Sequence, residues 1–232
     1  MYDAIVFDND GILTEITDED VFRRAIRDAF DAFGVADPRA GHVEALLGVS
    51  ESDIFRVCEA HGIDPEPFWR RRDDEAARRQ KAAIRRGEKP LYPDAEAALD
   101  VGVDVGVVSN NQQETVRYIL DWFGLEHLVD TYYGREHSVA GVRRKKPGTY
   151  YIERALDDLD AEKALYVGDS EKDVVAAQAA GIDSAFVRRP HRADVDLDPV
   201  PTYEVPDLRE LREVLEADGK VPPTEGAPDR QV

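Results

Sequence analysis

The chain predicts an α/β domain on a doubly wound parallel sheet, interrupted after its first strand by an inserted α-helical domain. Two patterns carry this expectation. Short apolar runs recur at Tyr2–Phe7, Val103–Val108, Leu165–Val167 and Ala185–Val187, and their length and β-branched content suit strands buried on both faces. Helical patterns at Asp94–Leu99, Gln112–Phe123, Thr149–Leu156 and Asp173–Ala180 separate them, an alternation that builds parallel sheets. It fails between about Thr14 and Gly87, where no strand-like run occurs. Roughly 70 residues are too many for a loop in a compact domain, so this stretch is expected to be a separate helical unit.

The inserted unit opens at Thr17 or Asp18, either of which can cap a helix in which Val21, Phe22, Ala25, Ile26, Ala29, Phe30 and Phe33 recur at helical spacing. Gly34 ends it. Further helices are expected at His42–Leu47, Glu51–His61 and Glu66–Arg86, the last carrying arginines over much of its surface. After Val187 the chain turns acidic and Pro-rich, then offers a strand at Tyr203–Val205 and an amphipathic helix at Asp207–Ala217. From Gly219 onward, Pro222, Pro223, Gly226 and Pro228 leave little apolar content to pack. The expected division is a core of residues 1–13 and 88–218, an insertion of 14–87 and a disordered tail of 219–232.

Composition bounds the function. The 232 residues can bury a substantial core, and the single Cys58 excludes an intramolecular disulfide. A formal charge of −19 repels nucleic-acid phosphates and anionic lipid, so neither is an expected partner. The same field resists small phosphate substrates, and any anion site must carry its own positive charge or a metal. Only 7 of the 30 basic residues are Lys while Asp numbers 29, a balance resembling the cytoplasmic proteins of extreme halophiles; an acidic mesophilic protein is the alternative. Aspartates stand where a signal peptide needs a basic region, and no run approaches the length of a membrane span, so a soluble cytoplasmic protein is expected.

Ligands gather at the carboxyl ends of strands in such sheets. Here the apolar runs end in Asp8-Asn9-Asp10-Gly11, Ser109-Asn110-Asn111 and Gly168-Asp169-Ser170. Asp-x-Asp alone says little, since the chain holds five such pairs. Only Asp8/Asp10 sits at the end of a buried run and leads straight into a glycine.

With Ser109, Lys146-Pro147 and Gly168-Asp169-Ser170-Glu171-Lys172-Asp173 in order, the chain resembles the haloacid dehalogenase superfamily, in the subgroup with a helical cap between the first and second motifs. VFDNDGILT, VVSNN, KKPGTYYIERAL and YVGDSEKDVVAAQAAGI carry the four motifs, and the resemblance covers about residues 1–190. It implies a Rossmann-like core and a phosphatase. Asp8 would be the nucleophile that forms an aspartyl-phosphate, and Asp10 the acid that protonates the leaving alkoxide and then the base that activates water. Ser109, the backbone amide of Asn110 and Lys146 would hold the transferring phosphoryl group. Mg²⁺ would bind Asp8, the Asp10 carbonyl, Asp169 and Asp173, the last directly or through water. Lys146 is preferred to Lys145 because it directly precedes the proline. Two departures stand out: Asn9 between the aspartates and Gly148 after the proline.

Asp10 favours phosphoryl transfer over carbon–halogen cleavage, which needs neither a proton donor nor a metal. Lys81, the one lysine well inside the insertion, is a weak basis for phosphonate cleavage. A sugar-phosphate mutase and a non-catalytic phospho-ligand binder remain alternatives, and oligomeric state is not readable. The expected partner is a small phosphate ester, phosphoglycolate by family analogy. Arg23, Arg24, Arg27 and the arginines at 70–72 could meet a second anionic group on it, although solvated ion pairs are their expected role. The five histidines show no metal-ligand spacing, Cys58 is expected to be inert, and Trp69, Trp122, Tyr132 and Tyr133 are expected to pack.

Overall fold

The computed structural model describes residues 1–223. Six parallel strands form one sheet in the order β3-β2-β1-β4-β5-β6, where β1 is Ala4–Phe7, β2 Asp104–Gln112, β3 Thr131–Arg135, β4 Ala164–Gly168, β5 Asp183–Val187 and β6 Tyr203–Val205. Because β1 is central, every residue in it is buried. Ile5 and Phe7 pack on one face with the helices α5 (Ala95–Leu99), α6 (Gln113–Trp122) and α10 (Leu208–Ala217). Ala4 and Val6 pack on the other with α8 (Tyr150–Asp158) and α9 (Glu171–Ala179). The order reverses between β1 and β4, which opens a crevice at their carboxyl ends.

Between β1 and α5 stand four helices: α1 (Glu19–Ala32), α2 (Ala40–Leu47), α3 (Glu51–His61) and α4 (Pro65–Arg85). Asp18, rather than Thr17, caps α1 by accepting from the Asp20 amide. The helices share their own apolar core, centred on Ile26, Phe30, Leu46, Val57, Phe68 and Trp69. That core also takes in Val139 and Val142 from α7 (Val139–Arg144), an element the apolar pattern did not announce. Strand β3 was also unannounced, its Thr-Tyr-Tyr-Gly-Arg run being too short and polar to read as a strand.

Three expectations need correction. Trp122 does not pack inside; it is 48% exposed and stacks on Tyr118. The packed chain also runs past Asp218: Val221 is buried in the core, and the Lys220 carbonyl accepts from the Tyr2 amide at 2.8 Å. The remainder of the expected tail, 224–232, lies outside the described residues. Finally, Arg72 is not solvated but 2% exposed. Arg23 does behave as expected, pairing at the surface with Glu19, Asp20 and Glu44. Among the described residues no helix is long and apolar enough to cross a membrane.

Candidate active site

The three strand ends bring the sequence motifs together at one place. Asp8 follows β1, Asp169 follows β4, and Asp173 lies one helical turn on in α9; ligand oxygens of the three carboxylates lie within 4.8 Å of one another, and all three residues are buried. Two glycines make this approach possible. A Cβ on Gly11 would stand 2.4 Å from Asp169 Oδ2, and Gly11 also adopts φ +86°. Similarly, a Cβ on Gly168 would meet the Asp173 carboxylate carbon at 2.4 Å.

Lys146, 2% exposed, supplies positive charge to the cluster. Its Nζ lies 3.1 Å from Asp8 Oδ1 and 2.7 Å from Asp173 Oδ1, and donates to the Val108 carbonyl and the Tyr166 hydroxyl at 3.1 and 2.5 Å. Burial opposes this ammonium, but Asp173 and Asp8 outweigh it and hold its pKa well above the usual lysine value. Lys145 takes a different course, reaching the Gly48 carbonyl in the insertion at 3.5 Å. Burial pushes the Asp8 carboxyl up; Lys146 opposes the push, and Asp173 and Asp169 add to it.

Asp173 has two tasks. Its Oδ2 accepts from the Ser170 amide and hydroxyl at 3.0 and 2.6 Å, starting α9 two residues earlier than expected, while Oδ1 faces Lys146. Ser109 is buried, and its Oγ accepts from the Asn111 amide at 3.2 Å. Strand β2 does not end before Ser109 as expected but runs on to Gln112, and its ladder with β3 shifts register between Val108 and Gln112, so Ser109-Asn110-Asn111 departs from regular pairing beside the site. The Asn110 side chain is committed elsewhere. It donates to the Lys146 carbonyl at 3.0 Å and accepts from the Lys146 amide at 2.8 Å, fixing the lysine's backbone.

The Asp10 side chain turns toward the insertion. Its Oδ2 accepts from Asn111 Nδ2 at 2.8 Å, and its Oδ1 meets the Thr17 hydroxyl at 3.3 Å and the Lys89 ammonium. Thr17 and Lys89 stand on the two chain crossings between core and insertion, and Gln80 of α4 joins them through Thr17 and Asn111. Nothing in the periodicity singled out Lys89. One signal was available: in a chain with seven lysines, Lys89-Pro90 and Lys146-Pro147 are both Lys-Pro pairs, and both lysines are buried. His191 and Arg192 were also missed; His191 Nε2 and Arg192 Nε lie 2.7 and 2.9 Å from Asp169 Oδ2. They approach through a loop after β5 whose sequence carries no periodic signal.

Chemically, the cluster sets three carboxylates against two permanent cations, Lys146 and Arg192, with oxygen donors converging on one point. A hard divalent cation fits this donor set, because oxygen-only ligation with excess negative charge selects ions such as Mg²⁺ over softer metals.

A family profile for haloacid dehalogenase-like hydrolases matches residues 5–187. A phosphoglycolate phosphatase from Cereibacter sphaeroides is 29% identical over 211 residues, spanning 88% of this chain and 90% of the relative. Among solved structures, a mutant CbbY from Rhodobacter sphaeroides in complex with xylulose-(1,5)bisphosphate superposes with a TM-score of 0.68 at 24% identity, covering 91% of this chain and 96% of that one. A HAD family hydrolase from Deinococcus radiodurans with bound phosphate and sodium superposes at 0.58, with 19% identity and coverage of 96% and 98%. With most of its length matched and all four motifs gathered at the strand ends, the chain is an enzyme of the haloacid dehalogenase-like hydrolase family.

Proposed function

We propose that the chain is a Mg²⁺-dependent phosphatase of small phosphate monoesters, phosphoglycolate among them, acting through an aspartyl-phosphate on Asp8. The observation that carries this reading is the convergence of the Asp8, Asp169 and Asp173 carboxylates with the Lys146 ammonium. A phosphate monoester resists attack because its oxygens repel nucleophiles, so charge must be neutralised before a carboxylate can approach. Lys146 offsets the anion, and the Ser109 hydroxyl with the backbone amides that follow it donates to the phosphoryl oxygens. An Asp8 oxygen then attacks phosphorus opposite the leaving oxygen, and the P–O bond to the ester breaks. Asp10 donates a proton to the departing alkoxide. In the second half, Asp10 takes a proton from the water that attacks the aspartyl-phosphate, releasing phosphate and restoring Asp8.

The carboxylates of Asp8 and Asp169, the Asp10 carbonyl and Asp173, directly or through water, would hold Mg²⁺, which supplies the charge compensation that lets anionic nucleophile and anionic ester meet. Thr17 and Lys89 tie the Asp10 carboxylate to both ends of the insertion. Movement of the insertion as a cap would therefore move the proton donor as it excludes water.

The test is phosphate release from a panel of small phosphate esters that includes phosphoglycolate, with and without Mg²⁺ and from low to molar salt. Release is expected to require Mg²⁺ and to vanish in Asp8→Asn. A panel with no turnover, or an Asp8→Asn protein that retains turnover, would overturn the reading.

A further inference from the structure

A cavity of about 260 Å³ lies where the insertion meets the strand ends. Asp10 lines it from the turn after β1, Asn110 from the end of β2, Arg72 from α4 and Arg135 from the end of β3. Both arginines are buried, at 2% and 1% exposure, and both bond to a single carboxylate, Asp73. Arg135 holds it through two bonds, Nη1 to Oδ2 at 2.5 Å and Nη2 to Oδ1 at 2.7 Å. Arg72 has one bond to it, Nη1 to Oδ1 at 2.9 Å, with its guanidinium over Trp69 and Phe22 at 4.7 and 5.4 Å. Neither Nε has a partner among the described residues.

Two guanidiniums against one carboxylate leave a buried positive surplus in a chain of net charge −19. Buried unpaired charge is costly, and a guanidinium that cannot deprotonate must find a counterion. The surplus is felt nearby: burial, reinforced by repulsion from Lys172, Arg135 and Arg72, pushes the Lys145 ammonium down to about 8. Among the described residues the cavity offers no free carboxylate to answer it, and Arg135 has beyond Asp73 only the neutral Glu136 carbonyl, which accepts from Nη1 at 3.3 Å. Among the described residues the one carboxylate lining the cavity is Asp10, which Lys89 and Asn111 already engage, and Ile16, Leu47 and Val49 give an apolar wall.

We propose that Arg72, supported by Arg135, binds a second oxyanion on the substrate, a carboxylate or phosphate remote from the phosphoryl group that Asp8 attacks. The inference rests on the phosphatase reading and narrows its substrates to phosphate esters carrying a second anionic group. The surplus charge then has a ligand as its counterion. The planar donor fork of Arg72 suits carboxylate and phosphate alike.

The test compares kcat/KM with Mg²⁺ for phosphoglycolate, xylulose 1,5-bisphosphate and ethyl phosphate, which lacks the second anion, in wild type, Arg72→Gln and Arg72→Lys. Arg72 is the residue to change because Asp73 keeps both bonds to Arg135 when it is lost. Wild type is expected to prefer one of the two doubly anionic esters over ethyl phosphate, the favoured one telling carboxylate from phosphate. That preference should fall at least ~30-fold in Arg72→Gln, the scale of losing one partner of a buried charged pair, and return in part in Arg72→Lys. Absence of a preference in wild type, or one that survives Arg72→Gln, overturns the proposal. A calorimetric titration of Asp8→Asn with phosphoglycolate and with the bisphosphate separates the two readings. Binding that weakens when Arg72→Gln is added supports the anion site even where no ester is turned over, an outcome that sinks the phosphatase reading alone. Turnover without preference sinks the anion site alone.

Discussion

The protein buries two clusters of charge that are out of balance in opposite directions. At the ends of β1 and β4, the carboxylates of Asp8, Asp169 and Asp173 exceed the cations that reach them. Where α4 meets β3, Arg72 and Arg135 exceed the single Asp73 between them. A fold selected for stability alone would balance both, since buried charge without a partner opposes folding. On the readings proposed above, each imbalance is completed from outside, by a cation at the carboxylates and an anion at the arginines, and Asp10 and Asn110 line the cavity on the arginine side.

The comparison predicts opposite consequences for removing a charge in each place. Asp8→Asn is expected to lower turnover by at least ~10⁴-fold, because the group proposed to form the covalent bond is gone. Metal-free stability should hold or rise, since burial already disfavours the Asp8 carboxylate and a neutral isostere escapes that penalty. Phosphate release and urea unfolding in chelator measure the two sides; a strongly destabilised Asp8→Asn would break the contrast.

Asp73→Asn should do the reverse. It strands two buried guanidiniums, and losing one partner of a buried pair costs about 3–5 kcal/mol. Urea midpoints should show this against Asp28→Asn, whose surface pairs with the exposed Arg78 and the half-buried Arg79 remain open to water and are worth about 1 kcal/mol. Equal midpoints for the two variants would remove Asp73 from its place in the comparison.

The two clusters also differ in how far the chain betrays them. Asp8 and Ser109 follow apolar runs directly and Asp169 one residue on, so the ends of those runs point to them even though β2 continues to Gln112, and Asp173 and Lys146 lie on short local motifs. Asp73 meets Arg135 across 62 residues of sequence, and β3, which presents Arg135, could not be recognised from its polar run. A faint signal did exist in α4. Its buried stripe runs Phe68, Trp69, then Arg72, Asp73, then Ala76, Ala77, then Gln80, so the charged pair occupies the turn where apolar residues were due. Among so many arginines and acids on one helix, that phase is easily taken for a solvated face. Lys89, Thr17, His191 and Arg192 were illegible for a related reason: each reaches the site from a chain crossing or loop, where no periodicity fixes direction.

A smaller effect tests the close approach at the carboxylates. Gly11→Ala places a Cβ against Asp169 Oδ2 and forces an alanine to φ +86°, at a cost of about 1–2 kcal/mol from the backbone alone. Because the clash falls on a proposed ligand, the Mg²⁺ concentration for half-maximal activity should rise as well. Unchanged Mg²⁺ dependence would detach Asp169 from the metal.

The smallest effect lies at the arginine cluster and concerns pH. The Lys145 ammonium is pushed down to about 8 in the folded chain, from an ordinary 10.5. Between those values the unfolded chain binds more protons than the folded one, so this group makes stability rise with pH across that window and add nothing further above it. Below about pH 8 its charge is carried in both states and the penalty is fully present. Since the group is partly open to water, the change across the window should not exceed about 1 kcal/mol. Urea unfolding of wild type and Lys145→Met from pH 7.5 to roughly 10 isolates it, because other titrations cancel in the difference. The difference should shrink when phosphoglycolate is present, as an anion beside Arg72 relieves the repulsion. A difference that is flat with pH, or indifferent to the ligand, would mean that the positive surplus does not extend to Lys145.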